Sequence, residues 1–178
     1  MKKLSHSEIL KERLIADEAL TADRHPVYVM VSNVRSMYNV GSIFRTCDSA
    51  LVAELILCGF TPHPPREEIA KTALGAVNSV PWKYFDMEKE AIDYLRQKGV
   101  KVIALEITDK KRQYTSLTPD EYPLCILLGN ELTGLDNEVL AMCDDAVEIP
   151  MYGVKHSLNV AVAAGIAVFE AVKIYKTI

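Results

Sequence analysis

The sequence predicts an α/β fold in which a mainly parallel six-stranded sheet lies between helices. Apolar runs of strand length occur at 27–31, 54–58, 100–107 and 124–128, with weaker ones at 80–85 and 146–149. The strong runs are apolar almost throughout instead of alternating, which is the pattern of strands buried on both faces in parallel sheets. Helical patterns separate most of the runs, and such alternation along a whole chain produces helix-covered sheets.

The elements follow in order. Residues 5–20 read as one amphipathic helix, with Ser5 and Glu8 in capping-box spacing. After Arg24-His25-Pro26 comes the first strand, 27–31, then a helix at 40–51 and a strand at 54–58. A helix at 66–74, the weak strand 80–85 and a helix at 87–98 closed by Gly99 come next. The strands 100–107 and 124–128 precede a helix at 135–143, the weak strand 146–149 and a last helix at 158–175. Leu158, Val160, Val162, Ala163, Ile166, Val168, Phe169 and Val172 surround nearly the whole of that last helix. A helix apolar all round must be covered on every side. A central core helix in a monomer satisfies this, as does a helix shared between the sheet and a second subunit; the small size of the chain favours the second.

With 178 residues, 49% hydrophobic and 25% charged, the chain has the make-up of one globular domain. Residues 1–25 read as an N-terminal helical extension and 26–178 as the main domain. No apolar signal-like stretch opens the sequence, and the longest apolar run, 158–172, is broken by Asn159 and Glu170 and is too short to span a bilayer. A cytoplasmic location and no membrane are expected. Cys47, Cys58, Cys125 and Cys143 lack CxxC spacing and read as reduced core residues. His6, His25, His63 and His156 show no ligand spacing, so no metal is expected. The net charge of −4 excludes a general polyanion binder; nucleic-acid contact would need local basic patches or a groove between subunits.

Three loop segments at strand ends carry chemistry. The first is Asn33-Val34-Arg35-Ser36-Met37-Tyr38-Asn39-Val40-Gly41-Ser42-Ile43-Phe44-Arg45-Thr46. It opens a helix, where free N–H groups favour anions, and at 100° per residue Arg45 points away from the apolar face of Ile43, Phe44, Cys47 and Leu51. Alone, Arg45 reads equally as a solvated surface residue. There is no GxGxxG, so a nicotinamide dinucleotide fingerprint is absent. The second is Leu127-Leu128-Gly129-Asn130-Glu131-Leu132-Thr133-Gly134-Leu135, where Gly129 allows close backbone approach and Glu131 fits either a functional site or a helix N-terminus. The third is Ile149-Pro150-Met151-Tyr152-Gly153-Val154-Lys155-His156-Ser157-Leu158-Asn159-Val160. Ser157 alone fits an N-cap; Asn159, an amide leading into an apolar helix, needs a partner.

Together, in this order and strand context, the three segments resemble the motifs of the SpoU (TrmH-like) ribose methyltransferases of the SPOUT superfamily, over residues 27 to the C-terminus. The resemblance implies a C-terminal trefoil knot, the SPOUT α/β knot, and a homodimer whose active site forms where the first and third motifs meet across the interface. It implies S-adenosylmethionine as methyl donor, held mainly by backbone groups at Leu105, Gly129, Ile149, Met151, Ser157 and Leu158. The acceptor would be a ribose 2′-hydroxyl of tRNA or rRNA. Arg45 matches the catalytic arginine and reads as a clamp on the adjacent phosphate and the emerging alkoxide. Asn39 and Asn159 would orient ribose and arginine, Glu131 would fix the motif loops or Arg45, and Ser157 would bind near the donor or the hydroxyl. Met37 stands where many relatives carry proline, so this loop is expected to be less rigid. Lys2, Lys3, Lys11 and Arg13, and the basic loop 109–114, are candidate RNA contacts, although the loop reads equally as a solvated turn. The rival readings are an RNA-binding protein of the same fold without catalysis, a SPOUT enzyme acting on a base atom, and a small-molecule enzyme on an ordinary doubly wound sheet.

Overall fold

The computed structural model describes residues 1–11 and 13–177. Its six strands are β1 (His25–Ser32), β2 (Val52–Cys58), β3 (Trp82–Phe85), β4 (Lys101–Leu105), β5 (Leu124–Leu128) and β6 (Asp145–Val147). They form one sheet in the order β3-β2-β1-β5-β4-β6, and every pairing is parallel. The central strands bury both faces, as their apolar sequences require. On one face Val27, Val29 and Val31 pack into a core with Ile43, Phe44, Ala164 and Val168. On the other, Met30, Ile56, Cys125 and Leu127 meet Ile92, Leu95 and Val139.

Helices α3 (Met37–Ser49), α4 (Glu67–Ala73) and α7 (Val160–Tyr175) cover the first face, and α5 (Glu88–Gln97) and α6 (Asn137–Met142) the second. One side of α7 is buried through Val160, Ala164, Ala167, Val168, Ala171 and Val172. Its other side leaves Val162 52% and Phe169 49% exposed.

The single helix expected at 5–20 is corrected to two short helices, α1 (His6–Leu10) and α2 (Ala16–Thr21); Glu12 within the expected span, and Ile178 at the end of the main domain, lie outside the described residues. Ser5 and Glu8 do form the capping box. The interruption comes at Ile15, whose backbone is extended (φ −79°, ψ 163°) and whose N–H is capped by the Glu18 carboxylate at 3.0 Å. That carboxylate starts a new helix instead of continuing the old one. Arg24 then ties the segment to the sheet, donating to the carbonyls of Val52 (3.0 Å), Ala19 (2.5 Å) and Ser79.

Candidate active site

Parallel pairing brings the ends of β1, β2 and β5 to one level: Val31 is in register with both Leu57 and Leu128. The loops that follow therefore leave the sheet side by side at its carboxyl edge, where open α/β sheets bind ligands. Asn130 ties two of them together. Its side-chain amide donates to the Asn33 carbonyl (2.7 Å), and its backbone exchanges hydrogen bonds with Gly134 in a tight turn (3.1 and 2.9 Å). Gly134 occupies the left-handed region (φ 70°) that this turn needs.

Glu131 then reaches the first loop. Its carboxylate accepts from the Arg35 N–H (3.1 Å), the Ser36 N–H (3.3 Å) and the Asn39 side-chain amide (3.0 Å). A carboxylate only accepts, so it fixes the orientation of Asn39, whose Oδ1 must face away. That oxygen accepts from the Asn159 amide at 3.1 Å. Asn159 in turn presents Oδ1 to the N–H groups of Ala161 (2.9 Å) and Val162 (3.4 Å) as the N-cap of α7. Glu131, Asn39 and Asn159 thus form one chain of bonds with every amide oriented. Partial burial pushes the Glu131 carboxyl upward, but the N–H donors of Arg35, Glu131 itself, Asn39 and Ser36 outweigh it and hold it below the usual carboxylate range.

A cavity of about 290 Å³ opens beside this chain between the loops after β4, β5 and β6. Leu105, Gly129, Ile149, Met151, Ser157 and Leu158 all line it, and so do Glu106, Glu131, Thr133 and His156. Gly129 is confined: a Cβ there would lie 2.5 Å from the Gly134 carbonyl carbon and 2.7 Å from both the Gly134 oxygen and the Leu135 nitrogen. Glu106 is a wall residue that sequence reading missed. Its carboxylate accepts from the Ile107 N–H (2.9 Å) and the Leu135 N–H (3.0 Å), joining the β4 exit to the second loop. The available signal was a carboxylate standing directly after a buried strand. Apolar walls, nearby backbone edges and carboxylates are a composition that suits a cationic nucleoside.

Four further placements bear on the sequence reading. Ser157 lines the cavity, and Asn159, not Ser157, caps α7, which satisfies the amide at the helix entry. Asn39 and Asn159 of the first and third segments meet within one chain. Arg45 does not join them. It is exposed on α3, beside a separate shallow depression shared with Ser42, Lys71, Thr72, Leu74 and Phe169. In the basic loop 109–114, Asp109, Lys110, Lys111 and Gln113 are exposed, while Arg112 is tied into the molecule. Arg112 grips Glu121 through both nitrogens (2.8 and 2.7 Å) and Asp145 (2.7 Å), and Lys110 pairs with Asp145 (2.9 Å). Among the described residues no group of three His, Cys, Asp or Glu is placed to hold a metal ion, and no helix is long and apolar enough to cross a membrane.

The sequence model of the SpoU rRNA methylase family matches residues 26–169. A tRNA (guanosine(18)-2′-O)-methyltransferase of Thermus thermophilus is 32% identical over 158 residues, covering 87% of this chain and 78% of its own. A solved TrmH/SpoU tRNA modifying enzyme of A. aeolicus superposes with a TM-score of 0.81 at 25% identity, over 95% of this chain and 85% of that one. An AdoMet-bound rRNA methyltransferase from Sinorhizobium meliloti gives 0.79 at 32% identity, over 85% of this chain and 57% of that one.

Proposed function

The chain belongs to the SpoU rRNA methylase family, and on that premise we propose that it transfers a methyl group from S-adenosylmethionine to a ribose 2′-hydroxyl of tRNA or rRNA. The observation that carries this reading is the joining of the cavity between the β4, β5 and β6 loops to the Glu131–Asn39–Asn159 chain at its side. S-adenosylmethionine, when bound, supplies an electrophilic methyl carbon on a sulfonium leaving group. Leu105, Ile149, Met151 and Leu158 would enclose it with apolar walls, while Gly129 leaves the backbone edge accessible. The trefoil knot belongs to this reading, as the threading that would hold these loops around the donor.

For the transfer, a 2′-oxygen must lie in line with that methyl carbon and lose its proton. Asn39 and Asn159, locked by Glu131, would orient the ribose, and Ser157 would contact the donor or the hydroxyl. The planar guanidinium of Arg45, with its fork of N–H donors, would clamp a neighbouring phosphate and stabilise negative charge developing on the 2′-oxygen.

Arg45 lies away from its own chain's cavity, and this reading therefore includes a homodimer in which Arg45 serves the partner's cavity. The half-exposed side of α7 supports it: Phe169 belongs to that apolar strip and borders the same depression as Arg45. A surface covering the strip would bring Arg45 into the interface. Residues 26–178 would be the catalytic domain and 1–25 an extension, acting on RNA in the cytoplasm.

The test has two parts. Purified protein incubated with S-adenosylmethionine and total tRNA or rRNA should leave one nucleotide resistant to alkaline cleavage, since that cleavage needs a free 2′-hydroxyl. Base methylation without such resistance would sink the ribose assignment. Arg45→Ala and Gly129→Ala chains, each inactive alone, are then co-refolded. If the site is shared between subunits, random pairing should restore about a quarter of wild-type turnover. No recovery would place the whole site in one chain.

A further inference from the structure

Beyond the donor cavity, the carboxyl edge of the sheet carries an exposed aromatic ring that the reading above does not use. Phe60 follows β2 and is 58% exposed. Its backbone is tied to neighbouring elements at several points. The Gly59 N–H donates to the Phe85 carbonyl (3.1 Å), the Tyr84 hydroxyl to the Gly59 carbonyl (2.7 Å) and the Phe60 N–H to Asn33 Oδ1 (3.1 Å). Thr61, only 2% exposed, accepts from the Val34 N–H (3.2 Å) and donates to the Val31 carbonyl (3.3 Å). Asn33 is itself anchored by Glu88 at 2.7 Å. This is a partly buried polar framework, with Thr61 at its buried end, around a ring left in solvent. The ring's neighbour is a cation, with the Arg35 guanidinium 5.8 Å from the ring centroid.

Sheet order sets the direction. The donor cavity lies over β4, β5 and β6, the Glu131–Asn39 contact over β5 and β1, and the Arg35–Phe60 pair over β1 and β2. The Arg35 N–H donates to the same Glu131 carboxylate that orients Asn39. A strand leaving a nucleotide at Asn39 and continuing along this edge meets Arg35 and Phe60 next.

We propose that Phe60 and Arg35 form a platform for RNA, Phe60 stacking an unpaired base beside the methylated nucleotide and Arg35 meeting its phosphate. The inference rests on the RNA-modifying reading above. Rigid aromatic faces with an adjacent arginine are how proteins hold splayed-out bases without reading their sequence. A duplex, whose bases are already stacked, would gain nothing from this ring.

The experiment measures binding of a tRNA transcript and of a 12-nucleotide single-stranded RNA carrying 2-aminopurine, by fluorescence anisotropy and by quenching of the probe. Phe60→Ala should weaken both about tenfold and abolish the quenching, and Phe60→Tyr should stay within about twofold of wild type. Phe60→Leu should behave like the alanine variant, because it restores apolar bulk without a π-face. Arg35→Ala should weaken binding and flatten its salt dependence. The rise in melting temperature caused by S-adenosylmethionine should be unchanged in all four variants. Phe60→Ala binding within about twofold of wild type, full rescue by leucine, or loss of dimer mass in place of RNA affinity would each overturn the proposal. Wild-type protein that binds neither RNA would overturn it through the underlying reading, and S-adenosylmethionine binding would show whether the donor half of that reading survives.

Discussion

Asn159 donates its side-chain amide to Asn39 Oδ1 at 3.1 Å, joining two residues 120 positions apart at the point where α3 and α7 begin. The same Asn159 side chain caps α7 through its oxygen. The two roles separate by mutation. Asn159→Asp keeps the accepting oxygen and loses the donor, so its melting temperature should stay near wild type while methyl transfer falls at least tenfold, on the order of one orienting hydrogen bond. Asn159→Ala loses both and should also unfold about 2–4 °C earlier, the equivalent of about 1 kcal/mol for a missing cap. Thermal melts and single-turnover rates on both variants decide this; equal melting of the two would remove the cap from the account.

Glu131 gathers donors from Arg35, Ser36 and Asn39. Its carboxyl is held below the ordinary value of 4.5, so the stability from its ionised form is fully present above that value. It is lost as the pH falls through the depressed one. Glu131→Gln should therefore melt earlier at pH 7, by about 1 kcal/mol for a partly exposed charged acceptor. The gap to wild type should narrow on moving below pH 4. Melting curves across pH 3–7 provide the check, and a gap that widens in acid would contradict the assignment.

Gly129 and Gly153 give a paired test of the cavity wall. A Cβ at Gly129 collides with the backbone of Gly134 and Leu135, whereas one at Gly153 meets nothing within 4 Å. Gly129→Ala should cost about 1–3 kcal/mol by overpacking and erase the melting-temperature rise given by S-adenosylmethionine. Gly153→Ala should leave both unchanged. Differential scanning fluorimetry with and without the donor is sufficient.

Much of the fold was legible because burial on both faces leaves a strong imprint. The run 124–128 is β5 to the residue, and the six apolar runs became the six strands. Ends governed by single capping side chains were harder to read. Nothing in periodicity reveals that Ile15 turns extended because Glu18 reaches back to it, or that α7 begins after Asn159. Around the site, the six positions matched to the donor site line one cavity because Leu105 and Gly129 stand at the ends of the neighbouring strands β4 and β5, and the loop from β6 to α7 carries Ile149, Met151, Ser157 and Leu158 beside them. The position of Arg45 was half legible: helical phase turned it away from the core, but the depression it shares with Phe169 depends on how α3 and α7 pack. The setting of Arg112 in loop 109–114 was hidden for a related reason: its charge looks free in sequence, whereas Glu121 and Asp145, which hold it, are 9 and 33 residues away.

That Arg112 cluster yields the last prediction. Arg112 is mostly buried and clamps Glu121, which is 9% exposed, with both terminal nitrogens while also holding Asp145. Removing a partner from a buried bidentate pair leaves the other charge uncompensated, the costly half of a buried salt bridge. Arg112→Ala should therefore destabilise by about 2–3 kcal/mol, on the order of 5–10 °C in melting temperature, after allowance for the exposed part of the cluster. Acid should act on the same contacts. Partial burial raises the Asp145 carboxyl, but Lys110, the Ala146 N–H and Arg112 lower it to about 2, and Arg112 also lowers Glu121. Because both folded values are depressed, this stability is present in full above the ordinary values of 3.8 and 4.5. It is lost as the pH falls through the depressed ones. Wild type should lose melting temperature steeply between about pH 4.5 and pH 2, and Arg112→Ala should lose much less over the same window. Parallel acid slopes in the two proteins would mean that other carboxylates control acid unfolding and that Arg112 is free to act at the surface after all.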